Sequence, residues 1–200
     1  MPAPRIADYD AIWPLVAEDW SERILGATAG LPGADGFRVD HIGSTAVPGL
    51  AAKPIVDLQL RVGDLPSEDA MSEALEPLGF VLAPGARADS PGVTADTPRP
   101  GSDADPSKHA KLLFHRPATE HEPEIILHVR RQDSPFADFV VAFRDWLRDD
   151  ARAAESYERV KRELAGRFEG AADYDDYTRA KAEFLANAQI EVGWRNERLD

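Results

Sequence analysis

The sequence predicts a single α/β domain of the α+β kind: a mixed β-sheet core closed on one side by a C-terminal helical bundle. Three observations predict it. Apolar residues recur at three- and four-residue steps in residues 9–29 and again beyond Pro135. Short alternating runs, the mark of half-buried strands, lie between those stretches. An apolar content of 43% over 200 residues is enough for one real core. The order αββαβββααα divides into an α/β core over residues 1–132 and a helical part over residues 133–200.

From Tyr9 to Ala29 the spacing of Ile12, Leu15, Val16, Trp20, Ile24 and Leu25 predicts an amphipathic helix, with Pro14 in its first turn. Gly30 to Gly36 breaks it. Phe37 to Ile42 reads as a short strand leading into a Gly-Ser turn, and Pro48-Gly49 turns the chain again before the strand Ile55 to Val62. Ser67 is placed to cap a helix running to Leu78, with Met71, Leu75 and Leu78 on one side. Phe80 to Leu82 reads as a short strand. Residues 84–107 are rich in Pro, Gly, Asp and Ser without an apolar period, which predicts a flexible loop, disordered in preference to a lid. Strands come next at Ala110 to His115 and Glu124 to Val129. Three helices are marked by Phe136, Phe139, Phe143 and Leu147, by Tyr157, Val160 and Leu164, and by Tyr177, Phe184, Leu185 and Ala188. Trp13, Trp20, Trp146 and Trp194 read as packing residues.

Composition narrows the function. A net charge of −13 argues against an extended nucleic acid as partner, since a phosphate backbone is repelled overall. No run of eighteen apolar residues is present, so no membrane span is expected. Met1 to Asp10 lacks a stretch of signal-peptide length, and the chain has no cysteine; both point to a cytoplasmic protein. Five of the 23 basic residues are lysine: Lys53, Lys108, Lys111, Lys161 and Lys181. The Arg excess reads first as a GC-rich coding bias; the alternative is that each retained Lys answers a need for a compact point charge.

The chemistry concentrates between His41 and Asp57. Gly43-Ser44 forms a bare turn whose backbone N–H groups and hydroxyl can hold phosphate oxygens; Thr45 adds a second hydroxyl or caps a helix beginning beyond it. Asp57 stands among apolar residues in a strand and needs a partner, for which a divalent cation is a natural choice. Gln59 shares its face by alternation. His41 either contributes to the site or braces the turn. Lys53 enters the Asp57 strand close enough to approach a phosphate. His128, sharing a strand face with Glu124 and Ile126, can serve as base, metal ligand or hydrogen-bond donor, or simply pack; Glu124 can supply a carboxylate. Arg144 either clamps phosphate or pairs with Asp145 or Asp149 on its own helix.

The block His41-Ile42-Gly43-Ser44-Thr45-Ala46-Val47-Pro48-Gly49-Leu50-Ala51-Ala52-Lys53-Pro54-Ile55-Val56-Asp57 closely resembles the signature of the GrpB family, also called UPF0157. Ile126-Leu127-His128-Val129, Phe143-Arg144-Asp145-Trp146, Tyr157-Glu158-Arg159-Val160-Lys161 and Ala180-Lys181-Ala182-Glu183-Phe184 come in that family's order, so the resemblance spans almost the whole chain. It implies a nucleotidyltransferase-like fold related to that of DNA polymerase β. It further implies a site in which Gly43 and Ser44 hold the β- and γ-phosphates of a nucleoside triphosphate and Asp57 holds Mg²⁺. Lys161 and Lys181 of the helical half would then face the leaving pyrophosphate. The pattern expects Asp-apolar-Asp or Glu, where this chain has Gln59, so one Mg²⁺ on Asp57 is expected rather than two. A Mg²⁺-dependent nucleotidyl transfer to a small-molecule acceptor is the leading expectation. A non-catalytic nucleotide- or CoA-related accessory module is the alternative, motivated by Gln59 and by the family's occurrence in fusion with dephospho-CoA kinase.

Overall fold

Alternation along the second strand lays out the molecule. The computed structural model describes residues 5–85, 90, 92–98, 101–171, 175–181 and 184. It joins β1 (Arg38–Ile42), β2 (Ile55–Val62), β3 (Val81–Leu82), β4 (Lys111–Arg116) and β5 (Glu124–Arg131) into one sheet in the order β1-β2-β5-β4-β3. β2 and β5 run parallel, and the other pairings are antiparallel. The sheet is therefore mixed, as the sequence predicts.

Successive side chains of a strand point to opposite faces, and here the two faces differ in kind. Val56, Leu58, Leu60 and Val62 of β2 are fully buried and join Ile125, Leu127 and Val129 of β5 on one face. That face is covered by α1 (Ile12–Thr28) and α2 (Glu68–Leu75), which bring Trp20, Ile24, Met71 and Leu75 to it. Trp20 meets Phe80 edge to face at 5.6 Å and carries the Arg116 guanidinium 4.3 Å from its ring centroid. Ser67 caps α2 by accepting from the Ala70 N–H, the capping role its position predicts.

The opposite face carries Asp57, Gln59 and Arg61 of β2, His128 and Arg130 of β5, and Lys111 of β4. Polar groups on a sheet face need a polar cover, and the C-terminal half supplies it. A short helix, α3 (Pro106–His109), precedes β4; α4 (Pro135–Asp149) and α5 (Ala151–Arg167) come after β5. Asp150 ends α4 and caps α5, its carboxylate accepting from the Arg152 and Ala153 N–H groups, so the two helices join almost without a loop. Their apolar stripes form a second core with Val47 and Leu50, built on Phe139, Phe143, Leu147 and Tyr157. Residues 175–181 are again helical, and Tyr177 is buried. Leu185, Ala188 and Trp194, expected in or beyond that last helix, lie outside the described residues.

The loop expectation for residues 84–107 needs correction where the chain is described. Asp96 is 5% exposed, its backbone N–H bonds the His109 carbonyl, and Thr94 accepts from the Lys111 N–H. Ser90 donates to Asp175 at 2.7 Å. A buried carboxylate bound to the sheet's cations ties this segment into the fold, whatever its turn-rich composition predicts.

Candidate functional site

The pairing register brings the Gly-Ser turn to the carboxylate. Ile42, the last residue of β1, stands opposite Asp57, so the chain turns at Gly43 directly beside that side chain. Gly43 has φ 73° and ψ −171°, a region essentially reserved for glycine. A Cβ there would lie 2.5 Å from Asp57 Oδ2. Glycine is thus required twice, by its backbone angles and by the approach of the carboxylate. The chain then enters a 3₁₀ turn, Ser44–Ala46.

Beyond the turn a cavity of about 190 Å³ opens. Its walls include Gly43, Ser44, Thr45, Lys53, Asp57, His128, Tyr157, Lys161, Tyr177 and Lys181. The convergence of turn, carboxylate and helix-borne lysines is what the family resemblance implies. α5 also fixes the cavity's entrance loop: Glu158 accepts from the Ala51 N–H at 3.0 Å, and Lys161 Nζ donates to the Ala51 carbonyl. Lys53 Nζ sits 5.0 Å from the Tyr177 ring centroid, and Lys161 Nζ 4.7 Å from that of Tyr157.

Asp57 is enclosed by protein yet keeps 31% of its side-chain surface open, because that surface is the cavity wall. Burial holds its carboxyl above the usual carboxylate range, against the opposing pull of Lys181 and Lys53. His128 Nδ1 lies 3.2 Å from Lys111 Nζ and 3.3 Å from Arg130 Nη2. Both are donors, so Nδ1 is the acceptor and the ring proton sits on Nε2, 3.7 Å from Asp57 Oδ1. Burial, then the charges of Lys111, Arg130 and Lys181, hold the ring neutral with a pKa well below the ordinary histidine value. A neutral ring with its proton turned toward Asp57 presents a donor on that side, and its other nitrogen is engaged by Lys111 and Arg130.

Four expected site residues do other work. Gln59 is fully buried: its amide N–H groups go to Asp40 at 3.0 Å and the Ala137 carbonyl at 3.1 Å, and its Oε1 accepts from Arg130 at 2.9 Å. Its amide oxygen is turned to Arg130 and sealed from the cavity. His41 pairs in register with Leu58, which turns it to the face away from Asp57; its Nε2 meets Thr45 Oγ1 at 3.1 Å and braces the turn. Burial, with Arg148 and Arg144 adding, pushes its pKa down to about 4. Arg144 donates to the His41 carbonyl at 2.9 Å and to Asp145 at 2.8 Å, behind the turn rather than at the cavity. Glu124, expected to supply a carboxylate, pairs with His115 at 3.1 Å.

Sequence reading missed the cluster that seats His128. Asp96 accepts from Arg130 at 2.6 and 3.0 Å and pairs with Lys111 at 3.0 Å, and all three side chains are nearly sealed from solvent. From Arg130 the network runs through Gln59 to Asp40, and on to Arg61 at 2.7 Å. Arg130 carries a readable signal, for it continues the Glu124-Ile126-His128 face by one more alternation; Asp96 carries none.

The donor set does not fit a resident magnesium centre. Among the described residues no group of three or more His, Asp or Glu could hold a metal. Asp57 is the one carboxylate at the cavity among the described residues, and it faces three lysines. Magnesium needs several oxygen ligands, and adding two positive charges beside three ammonium groups is unfavourable.

Comparison with known proteins decides the family. The GrpB protein family model matches residues 3–190. The chain belongs to the GrpB family. Within it, a UPF0157 protein of Streptomyces coelicolor is 34% identical over 94% of this chain and 83% of its own length. One from Halalkalibacterium halodurans is 32% identical over 80% of this chain and 68% of its own. A Mycolicibacterium paratuberculosis protein named dephospho-CoA kinase is 32% identical over 92% of this chain, which spans only 44% of that protein. The crystal structure of the conserved protein GrpB from Enterococcus faecalis superposes with a TM-score of 0.61 at 22% identity, covering 92% of this chain and 99% of that one, which shows the shared fold. Among the described residues no helix is long and apolar enough to cross a membrane.

The lysines give the site of this GrpB-family chain a pH signature. Burial, then Lys181, pushes Lys161 down to about 7; burial, again with Lys181, pushes Lys53 down to about 8. Unfolded lysine keeps its proton to about pH 10.4, so above about pH 7 the unfolded chain binds more protons than the folded one. Stability of the unliganded protein should therefore rise, by about 1–3 kcal/mol from about pH 7 to about pH 9. Urea denaturation across that range checks this, and Lys161→Met should flatten the rise. A falling or level curve in the wild type would refute the assignment.

Proposed function

We propose that this GrpB-family protein is a nucleotidyltransferase-like enzyme that binds a nucleoside triphosphate by its polyphosphate and transfers the nucleotidyl group to a small acceptor. The observation that carries this reading is the meeting of Gly43, Ser44, Asp57, Lys53, Lys161 and Lys181 at one cavity. Ser44 and the turn meet phosphate oxygens. The lysines neutralise the β- and γ-phosphates as negative charge builds on the leaving group. Asp57, with its raised pKa, takes the proton from the acceptor hydroxyl; that oxygen bonds to the α-phosphorus, the bond from α-phosphorus to the bridging oxygen breaks, and pyrophosphate leaves. His128, its Nε2 3.7 Å from Asp57 Oδ1, flanks the carboxylate. The cavity is small for the whole ligand, since sites for drug-sized molecules run from about 300 Å³. The phosphates go inside, and the nucleoside extends toward solvent.

The engagement of Gln59 and the single carboxylate favour a second reading, a binding module without turnover. The relative named dephospho-CoA kinase makes a CoA-related ligand its natural object.

Calorimetry with ATP, GTP and CTP, paired with pyrophosphate release in the presence of low-molecular-mass cell extract as acceptor source, separates the two. For the enzyme, Asp57→Asn should retain binding and lose pyrophosphate release by about 10²–10⁴-fold. Wild-type binding with no release would select the module. Absence of binding by all three nucleotides would end both.

A further inference from the structure

The charges around the cavity do not balance, and the imbalance is built in. Lys161 makes no ion pair there: its ammonium rests on the Tyr157 ring and donates to the Ala51 carbonyl, and Glu158, whose carboxylate accepts from the Ala51 N–H, acts on it only through space. Both direct partners are neutral, so its charge is only partly offset, by Glu158. Lys181, also on the cavity wall, makes no hydrogen bond or ion pair with a described residue; Tyr157, Tyr177 and Asp57 are the groups that act on it. The Tyr157 face holds Lys161 in place, and both lysines keep N–H groups for an incoming acceptor. On the wall itself one carboxylate, Asp57, and a neutral imidazole, His128, stand against them, while Glu124 acts on Lys53 and Asp57 from outside the lining. In a two-carboxylate, two-metal site the protein is negative and the ions reverse its sign toward phosphate. Here the protein wall is already positive.

Resting on the polyphosphate reading above, we propose that the ammonium groups of Lys161 and Lys181 stand in for metal ions, so that the cavity binds a compact polyanion directly and without a divalent cation. The ligand class is a pyrophosphate or triphosphate moiety. The depressed pKa of Lys161, down to about 7 through burial and its neighbour Lys181, agrees: the empty wall carries more like charge than it can solvate, and an anion relieves it.

Inorganic pyrophosphate and tripolyphosphate, titrated by calorimetry into the full chain, test this in excess EDTA and in excess Mg²⁺. Affinity in EDTA should equal or exceed that in Mg²⁺, because the ion competes with lysine for phosphate oxygens. Lys161→Met and Lys181→Met should each weaken binding about 10–100-fold in EDTA, the worth of one charge-assisted hydrogen bond. Lys108→Met, on a lysine paired with Asp103 away from the cavity, should leave it unchanged. Binding only with Mg²⁺ would overturn the proposal and leave the functional reading standing. Binding under neither condition would sink both, and tight binding by both cavity variants would remove the lysines from the role. The wild-type comparison decides the matter even if a variant fails to fold.

Discussion

Asp96→Asn should destabilise the protein by about 3–5 kcal/mol, among the largest costs available to a single polar substitution. The carboxylate accepts two bonds from Arg130 and pairs with Lys111, and its side chain is 3% exposed. Burial alone would raise its pKa, but Arg130 and Lys111 hold it below the usual range, so it is the anion that both cations require. Removing that charge strands two positive groups in a region that cannot hydrate them. The damage reaches the cavity, because Lys111 and Arg130 are the donors that set the His128 ring. Urea denaturation measures the loss. Arg131→Ala is the contrast: Arg131 pairs with Asp64, 96% exposed, and Asp133, 47% exposed, and such pairs are worth at most about 1 kcal/mol. Equal losses in the two variants would show that the buried cluster is not holding the sheet's polar face.

Gly43→Ala should combine a stability loss with a functional one. Its backbone angles cost a side-chain-bearing residue about 1–3 kcal/mol. The new methyl would in addition stand 2.5 Å from Asp57 Oδ2, so the turn or the carboxylate must move. Since Asp57 rides on a central strand hydrogen-bonded on both sides, the turn should yield and draw Ser44 from the cavity. Tripolyphosphate affinity should fall at least about tenfold, the worth of one hydrogen bond to a charged group. Gly49→Ala is the comparison: its φ of 79° carries the backbone strain, and nothing lies within 4 Å of the added carbon. If both variants lose affinity equally, strain and not contact with Asp57 is responsible.

The legible part of the molecule is the part its periodicities reach. Period-two alternation set Asp57 and Gln59 on one face, and the three-and-four spacing placed Tyr157, Lys161 and Tyr177 on helices; the structure brings Asp57, Tyr157, Lys161 and Tyr177 to the cavity. Of the two roles the sequence leaves open to His41, bracing the turn is the one it fills, and not a place at the cavity. Nearness to Gly43 in sequence counted in its favour, whereas one residue of register turns it to the other side of the sheet. Arg144 and Gln59 offered the right atoms, but which partner a guanidinium or amide satisfies depends on elements that arrive from elsewhere in the chain. Asp96 shows the limit. Its flanks read as turn and loop, and nothing local announces that it meets Arg130 from 34 positions away.

The parallel pairing of β2 with β5 carries a consequence for biosynthesis. Those strands cannot meet until α2, β3, α3 and β4 have been made, because a parallel partner requires the chain to travel back across the sheet. Contacts so distant along the chain close slowly, and loop entropy must be overcome before burial rewards it. The cavity waits longer still, since Lys181 is among the last described residues to leave the ribosome. A growing chain therefore holds a half-covered sheet with charged groups facing water until α5 and the residues around Lys181 have been made.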